Sequence, residues 1–306
     1  MTRTFLAVGE AMIEMSGGGS DGHYRMGFAG DTMNTAWYAR RLLGPDWIVG
    51  YMTRLGVDRY SLAMRRFFEE NGIDTTHVGI AEDRQPGLYC IHQQDGDRHF
   101  TYWRDTSAAR LLAADAGALA TAFDAADTIY FSGITLAILS PEDRAALLKA
   151  LRTARRRGST IAFDPNIRPK LWPGKEAIRE AIDTAASVSD IAFPTFGDDQ
   201  VLFGDATIKD TARRYADLGV RETIVKNGAD AAFALAPEGT ASVAPPAGAT
   251  VVDATGAGDS FNAGYLAARA EGAEIERAVI EAHHVASICI AHHGALAPPD
   301  AIAQRG

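Results

Sequence analysis

Short apolar runs alternate with amphipathic stretches along most of the chain. Apolar runs bounded by polar residues or glycine are typical of buried strands, and apolar residues three and four positions apart are typical of helices. The predicted strands are residues 4–8, 47–53, 128–132, 160–164, 190–193 and 223–226. The predicted helices are residues 32–43, 60–71, 141–157, 174–186 and 208–218. This alternation predicts βαβ units, and therefore a mainly parallel sheet with helices on both faces.

A different pattern interrupts the alternation between residues 86 and 104. Residues 87–94 and 99–103 are predicted strands, and the polar segment Asp95-Gly96-Asp97 between them indicates a hairpin turn. Residues 17–19 are predicted to form a glycine turn. We interpret the hairpin as part of a small β lid over the ligand end of the main sheet, contributed mainly by about residues 10–28 and 86–104. Because no repeat, low-complexity segment or linker interrupts the chain, we expect one domain over residues 1–306.

The composition is that of an ordinary globular protein with an excess of acidic residues. The chain has 306 residues, of which 47% are apolar and 23% are charged, so a large buried core is expected. Its formal net charge of −9 makes nucleic acids and anionic membrane surfaces poor partners. Because the net negative charge repels an anionic ligand, such a ligand would need cationic side chains close to it. The positions of individual arginines therefore bear on the kind of ligand that is bound.

The two cysteines, Cys90 and Cys289, are far apart, and neither lies in a CxxC or CxxH motif. This spacing argues against a disulfide framework or a structural zinc site, and it suits a reducing compartment. No run approaches 18 apolar residues, and the N-terminal segment lacks a long apolar stretch of the signal-peptide type. We therefore expect a soluble protein of the cytoplasm.

The segment Asp253-Ala-Thr-Gly-Ala-Gly-Asp259 places a glycine turn and a carboxylate directly before an apolar helical pattern. Gly256, Ala257 and Gly258 can point several N–H groups in one direction, and the helix N-terminus adds positive charge, so an anion hole is expected, with a positive φ at Gly258. A carboxylate at this place suits an attacking hydroxyl that must lose its proton during phosphoryl transfer. The alternative is that Asp259 merely caps the helix.

The same segment, continued through Ser260 and Phe261, resembles the C-terminal signature of the ribokinase-like family of carbohydrate kinases. Gly27-Phe-Ala-Gly-Asp-Thr-Met-Asn34 resembles the sugar-binding stretch of that family. Four further segments are similar to family members that phosphorylate 2-keto-3-deoxygluconate. These segments are residues 86–90, 102–109, 132–140 and 164–172. Together they cover nearly the whole chain in the family's order.

The resemblance implies a ribokinase-like three-layer α/β/α sandwich with a small β-sheet lid. It also implies an ATP-dependent kinase that phosphorylates a hydroxyl of a sugar acid, with 2-keto-3-deoxygluconate as the best candidate and its 6-phosphate as product. Asp259 would be the base, Gly256, Ala257 and Gly258 would form the anion hole, and Mg²⁺ would bridge the phosphates. By analogy with relatives, carbonyls near Asp253 and Thr255 could bind K⁺.

The expected substrate-binding residues lie in three places: a helix start, the lid strands and a loop after a strand. They are Gly30, Asp31, Asn34, Tyr89, Tyr102, Arg104, Arg168 and Asp259. Arg104 and Arg168 suit a substrate carboxylate, because guanidinium groups bind carboxylates bidentately. The alternatives are an N-cap role for Asp31, lid packing for the tyrosines and a surface salt bridge for Arg104.

The expected nucleotide-binding residues follow strand ends, where ligands bind in α/β sheets. They are Asn166, Arg168, Lys226, Gly228, Gly256, Gly258 and His283. The alternatives are a loop held rigid by flanking prolines at 165 and 169, and an ordinary tight turn at Gly228. The family commonly carries Asn-x-x-Glu near magnesium, whereas this chain has Thr195 and Asp198 at the matching positions. The pairs His283-His284 and His292-His293 do not predict a metal site, because neighbouring helical residues do not face one another.

Two rival functions follow from the same residues. One is a kinase of this family that acts on a neutral sugar such as fructose or ribose, or on a nucleoside; such a substrate offers the two arginines no carboxylate. The other is a sugar- or nucleotide-binding regulator without turnover, which would have no need of a base at Asp259. An exposed lid sheet often packs against a second copy, so we expect a homodimer or a higher homo-oligomer.

Overall fold

The computed structural model describes residues 2–17, 22–94 and 97–303. The turns predicted at residues 17–19 and 95–97 therefore lie mostly outside the described residues. The strands are β1 Arg3–Val8, β2 Met12–Gly17, β3 Tyr24–Ala29, β4 Trp47–Leu55, β5 Val78–Ile80, β6 Gly87–Gln94, β7 Asp97–Trp103, β8 Thr128–Ser132, β9 Thr160–Asp164, β10 Ile191–Ala192, β11 Glu222–Val225, β12 Ala232–Ala236 and β13 Gly239–Val243. The helices are α1 Asp31–Leu42, α2 Arg59–Glu70, α3 Ala116–Asp124, α4 Gly133–Ile138, α5 Pro141–Arg157, α6 Lys175–Ser187, α7 Phe196–Phe203, α8 Ile208–Asp217, α9 Ala257–Ala270, α10 Ile275–Ile290 and α11 Pro299–Ala303.

Nine of the described strands form the main sheet, in the order β13-β12-β11-β10-β9-β8-β1-β4-β5. Neighbouring strands among β11, β10, β9, β8, β1, β4 and β5 pair in parallel. Strands β12 and β13 add an antiparallel hairpin at the β11 edge. The expected mainly parallel sheet is therefore confirmed. The edge hairpin was not predicted from the sequence.

Alternating residues of the central strands feed two separate cores, one on each face of the sheet. Along β1, Phe5 and Ala7 pack into the core under α1, α2, α9 and α10. Leu6 and Val8 pack into the opposite core under α3, α5, α6 and α8. Because both faces of the sheet are covered, its strands are apolar on both sides, as parallel strands usually are. The three-layer α/β/α architecture is confirmed.

Helix α5 shows how local sequence sets the ends of these elements. The Ser140 side chain accepts a hydrogen bond from the Asp143 N–H, and Pro141 occupies the first turn. Gly158 ends the helix with a φ of 107°, a left-handed conformation that favours glycine. The residues at both ends of α5 therefore match the predicted helix.

A second sheet of four strands, in the order β3-β2-β6-β7, forms the lid. β2 pairs in parallel with β6, and the other neighbours are antiparallel. The chain passes from β1 directly into β2, so the lid is attached at the carboxyl ends of the parallel strands. Polar residues at these strand ends consequently lie under the lid. The extent of a single domain over residues 1–306 stays a prediction.

The loops after β8 and β9 are in direct contact at Gly133. A Cβ atom at Gly133 would lie 1.9 Å from the Pro165 carbonyl oxygen, so only glycine fits there without backbone movement. We expect Gly133→Ala to lower the free energy of unfolding by about 1–3 kcal/mol, the usual cost of overpacking. Urea unfolding measures this loss.

Gly197→Ala in α7 is the matched control, because a Cβ atom there would meet no atom within 4 Å. Alanine is the better helix former by about 1 kcal/mol, so the control variant should be as stable as the wild type or more stable. Equal unfolding midpoints for the two variants would contradict the contact between the loops.

Candidate active site

Helix α9 begins at the glycine turn that the sequence singled out. Gly256 has a φ of 77°, and a Cβ atom on it would lie 2.6 Å from the Ala295 carbonyl oxygen. The positive φ expected at Gly258 therefore lies at Gly256, because Gly258 is already inside the helix. The Ala257 N–H donates to the Ala254 carbonyl at 3.2 Å. The helix itself offers no acceptor to the N–H groups of Gly258 and Asp259, as is usual in the first turn of a helix, and their role as an anion hole stays a prediction.

Asp259 does not cap α9, since the N-terminus of this helix has no side-chain cap hydrogen bond. Its carboxylate Oδ2 instead accepts a hydrogen bond from Asn34 Nδ2 of α1 at 2.8 Å. The Thr35 hydroxyl donates to the Asp259 carbonyl at 3.2 Å, which further ties α1 to α9. The structure therefore brings the predicted base and the predicted sugar-binding stretch together.

The pKa of Asp259 is raised to about 8. Desolvation in the cleft is the main cause, and the nearby charges of Asp31 and Asp164 add to it. The Asn34 hydrogen bond and the Lys226 ammonium oppose these effects. A carboxylate that exchanges its proton near neutral pH is suited to accept a proton from a hydroxyl.

The sugar-binding stretch is held by the core rather than by its own helix end. A Cβ atom on Gly30 would lie 2.3 Å from the Glu10 carbonyl oxygen, so this position requires glycine. Asp31 is the first residue of α1, and Gly30 rather than Asp31 occupies the N-cap position, so the N-cap alternative for Asp31 is not observed. The Asp31 Oδ2 accepts a hydrogen bond from Asn166 Nδ2 at 2.7 Å. Two predicted residues from distant segments are thus in contact.

Asp164 is a buried carboxylate at the end of β9 that sequence analysis did not single out. Lys226 Nζ and Asn262 Nδ2 both donate to its Oδ2 at 2.6 Å, and the Asn166 N–H donates to its Oδ1 at 2.9 Å. Lys226 also lies beside the anion hole, since a Cβ atom on Gly258 would be 3.3 Å from its Nζ. An acidic residue at the carboxyl end of a parallel strand was the signal that could have identified Asp164.

The loop after β9 carries Asn166 and Arg168. Asn166 has a φ of 35° and is the only non-glycine residue with positive φ among residues 2–17, 22–94 and 97–303. Such strained backbone is typical of functional sites. Arg168 is exposed, donates to the Ile167 carbonyl at 3.0 Å and has no carboxylate partner within 4 Å in the described chain. Burial raises the pKa values of Tyr102 and Asp198, and the charge of Arg168 opposes both increases. Arg168 is therefore close to both the lid and α7.

Thr195 and Asp198 stand at the start of α7 beside the same cluster. The backbone of Thr195 pairs with that of Lys226. Desolvation raises the pKa of Asp198, Arg168 and Lys226 oppose the increase, and Asp164 adds to it. Asp198 therefore lies close to the residues that surround the anion hole, although the chain lacks the family's Asn-x-x-Glu.

The lid tyrosines face the site from above. The Tyr89 hydroxyl donates to Glu14, and its ring lies 5.7 Å from that of Tyr102. Burial raises the pKa of Tyr89, and the charges of Glu14 and Asp259 add to this effect. Tyr102 is half exposed. Tyr89 thus has contacts within the lid, and the roles of Tyr89 and Tyr102 toward a substrate stay predictions.

Arg104 forms an ion pair with Glu10 in which both side chains are buried. The salt bridge considered as the alternative therefore exists, but it is buried and does not lie at the surface. One end of the guanidinium is already bonded within the protein. Its role toward a substrate carboxylate stays a prediction.

Comparison with known proteins identifies the family. The model of the pfkB family carbohydrate kinases matches residues 3–302. The chain belongs to this family. It is 40% identical to the 2-dehydro-3-deoxygluconokinase of Dickeya dadantii, covering 98% of this chain and 99% of that protein, and 39% identical to the 2-dehydro-3-deoxygluconokinase of Escherichia coli K12, covering 99% of each.

A solved structure supports the same family fold. The structure is that of aminoimidazole riboside kinase from Salmonella enterica, complexed with aminoimidazole riboside and an ATP analogue. It is 26% identical to this chain, has a TM-score of 0.83 and covers 98% of each chain. The resemblance inferred from the sequence and the ribokinase-like fold are confirmed.

His283, an expected nucleotide-binding residue, is buried in this pfkB family fold, and its role toward a nucleotide stays a prediction. A cavity of about 340 Å³ lies between the loop at residues 246–249 and α10, and its lining includes His292 but not His283. His283 is buried, bonds through Nε2 to the Val243 carbonyl at 3.0 Å and meets the edge of Phe261. His292 rather than His283 therefore faces this cavity. Gly228 forms an exposed turn after Lys226 with a φ of 59°.

The described chain contains no helix long and apolar enough to span a membrane.

Removing the charge of Asp259 should stabilise the protein. The native carboxyl keeps its proton up to about pH 8, whereas an unfolded aspartate loses it near pH 4, so the wild type loses stability as pH rises between these values. We expect Asp259→Asn to melt at a higher temperature than the wild type, with a larger difference at pH 9 than at pH 5. Thermal denaturation across this range measures the difference.

Asp46→Asn is the control, because the exposed Asp46 pairs with Arg3, which lowers its pKa. This variant should show no such gain at pH 9. An Asp259→Asn variant no more stable than the wild type at pH 9 would contradict the raised pKa.

Proposed function

We propose that the chain is an ATP-dependent kinase that converts 2-keto-3-deoxygluconate, also called 2-dehydro-3-deoxygluconate, to its 6-phosphate. The observation that carries this proposal is the position of Asp259. Its pKa is raised to about 8, and it lies in the first turn of α9 beside Lys226, in a family of carbohydrate kinases. The substrate named for the relatives described above gives the proposal its specificity.

Asp259 is the proposed base for the sugar hydroxyl. It takes the proton as the hydroxyl oxygen forms its bond to the γ-phosphorus and the bond from that phosphorus to the ADP oxygen breaks. The hydrogen bond from Asn34 holds the Asp259 carboxylate in place. The N–H groups of Gly258 and Asp259, the N-terminal end of α9 and Lys226 would bind the transferring group, where negative charge must be stabilised.

Two arginines support an anionic sugar as the substrate. The net charge of −9 repels a sugar acid, so local charge-assisted hydrogen bonds must bind it. Arg168 is exposed and its charge reaches both Tyr102 of the lid and Asp198 of α7. Arg104 reaches the same lid residue, with its guanidinium carbon 5.9 Å from the Tyr102 ring centroid. A neutral sugar would leave the charge of Arg168 without a carboxylate partner, whereas Arg104 already pairs with Glu10.

Mg²⁺ is proposed to enter with ATP, and it would supply positive charge beside the transferring phosphoryl group. Asp198 fits a role beside it, because this carboxylate is desolvated and close to Asp164, and a divalent cation favours the ionised form. Mg²⁺ keeps most of its waters, so the shorter aspartate could order one of them in place of the family's glutamate.

Three further properties remain proposals. K⁺ could bind near Asp253, a buried carboxylate whose oxygens accept hydrogen bonds from the N–H groups of Thr255 and Gly294. A homodimer or a higher homo-oligomer through the lid is proposed because Met26, Phe100 and Trp103 of this sheet are exposed. A cytoplasmic location is proposed because Cys90 and Cys289 are both free thiols.

A substrate panel tests the function. We expect the wild type to phosphorylate 2-keto-3-deoxygluconate with a far higher kcat/KM than fructose or ribose. Arg168→Ala should raise KM for the acid by about 10- to 150-fold, which corresponds to one lost charge-assisted hydrogen bond of about 1.5–3 kcal/mol. The loss on a neutral sugar should be much smaller. A coupled ADP-release assay measures both.

Arg213→Ala is the control, since Arg213 is exposed on α8 and its loss should leave KM unchanged. A wild type that prefers fructose or ribose, or an equal loss on acid and neutral sugar in Arg168→Ala, would favour the neutral-sugar kinase. Binding of sugar and ATP without turnover would favour the regulator.

A further inference from the structure

The chain crosses between the main sheet and the lid four times, and residues of all four crossings lie around Glu10. The first crossing, between β1 and β2, contains Glu10 itself. The second ends at Gly30 before α1, the third enters β6 at Gly87, and the fourth leaves β7 at Arg104. Glu10 is 2% exposed, so it is a buried carboxylate at the junction between the lid and the core.

Glu10 contacts the other three crossings directly. A Cβ atom on Gly30 would lie 2.3 Å from the Glu10 carbonyl oxygen, and a Cβ atom on Gly87 would lie 2.8 Å from its Oε1. Arg104 contacts Glu10 through the ion pair between Arg104 Nη2 and Glu10 Oε2. The second and third crossings thus approach Glu10 so closely that only glycine fits there without a shift of neighbouring atoms. The fourth crossing is bonded to the Glu10 side chain through Arg104.

The ion pair leaves some bonding capacity unused. Glu10 Oε1 and Arg104 Nε are both buried and have no hydrogen-bond partner within the part of the chain that the structure describes. A buried polar atom without a partner is costly, so a bidentate pair would be the more stable arrangement. The pair is instead made through a single contact. Such an exception in a buried ion pair is often connected with function.

The single contact also fixes where the guanidinium can reach. Arg104 follows β7 directly, and its guanidinium carbon lies 5.9 Å from the ring centroid of Tyr102, which is half exposed in the cleft. Because Glu10 pairs with its Nη2, the Arg104 side chain is kept buried at the base of the lid instead of extending into solvent.

We propose that Glu10 is a positioning residue that holds Arg104, through its Oε2, in the orientation that binds the carboxylate of the sugar acid. This inference rests on the proposed function, because the substrate carboxylate supplies the reason for orienting Arg104. The reach of the Glu10 side chain matters more for this role than its charge.

Three variants distinguish the effect of the length of the Glu10 side chain from the effect of its charge. Glu10→Asp keeps the charge but withdraws the oxygen from Arg104, so KM for 2-keto-3-deoxygluconate should rise at least about tenfold. Glu10→Gln keeps an oxygen that can accept a hydrogen bond from Arg104 Nη2. Its amide nitrogen takes the place of Oε1, which has no partner, so KM should rise less than about threefold. Glu82→Asp makes the same change at an exposed residue of the third crossing and should leave KM unchanged. KM for ATP should stay the same in all three variants.

A double-mutant cycle with Arg104→Ala tests whether Glu10 acts through Arg104. In the Arg104→Ala background, Glu10→Asp should raise KM for the acid no further. An additional rise as large as in the wild-type background would overturn the proposal, and so would Glu10→Gln weakening binding as much as Glu10→Asp. If Glu10→Asp does not fold, a Glu10→Gln variant whose KM rises tenfold still contradicts it. Failure of the proposed function is distinguishable, because the wild type would then not phosphorylate the acid.

Discussion

The site depends on the convergence of three carboxylates at the carboxyl edge of one parallel sheet. Asp31, Asp164 and Asp259 come from distant segments and would repel one another if they met without partners. Lys226 and Asn262 bind Asp164, and Asn34 binds Asp259. The repulsion that remains falls on Asp259, whose pKa is raised to about 8 by desolvation, with Asp31 as the next largest cause. All three side chains are aspartates, so it is the surroundings of Asp259 that support the proposal that this residue is the base.

The fold gathers these groups by placing two helix N-termini face to face. Asn34 of α1 bonds the Asp259 carboxylate, and Thr35 bonds its backbone carbonyl. Gly30 and Gly256 permit the close approaches at the starts of α1 and α9. The lid then brings its aromatic residues and Arg104 over the same edge. The proposed anion hole, the proposed base and the arginines proposed to bind the substrate consequently lie at the same edge of the main sheet, under the lid.

Much of the architecture could be predicted because its signals are local. The apolar runs at β1, β8 and β9 and the proline and glycine at the ends of α5 mark those elements in the sequence itself. The hairpin of β12 and β13 was missed because short antiparallel strands after the last parallel strand break the βαβ alternation. The positive φ was expected at Gly258 but lies at Gly256, since the helix begins earlier than the glycine pattern alone indicates.

The contacts within the site were harder to predict because they join residues far apart in the chain. The pairing of Glu10 with Arg104 spans 94 positions, and that of Asp31 with Asn166 spans 135. The contact of His283 with the Val243 carbonyl depends on how α10 packs against β13, which periodicity does not determine. Candidate site residues could therefore be named from the sequence, whereas their partners within the protein required the folded chain.

The pH dependence of kcat/KM tests the central claim that Asp259 is a base with a raised pKa. Measured for the sugar at saturating ATP, this ratio reports ionisations of the sugar and of the enzyme–ATP complex that binds it. For the wild type with its sugar substrate at saturating ATP, it should rise with pH and level off above about pH 8. Asp259→Asn should lose about 10²–10⁴ in kcat and show no such limb. A wild-type profile that is flat between pH 6 and 9, or an Asp259→Asn variant that keeps both its rate and the limb, would contradict the account.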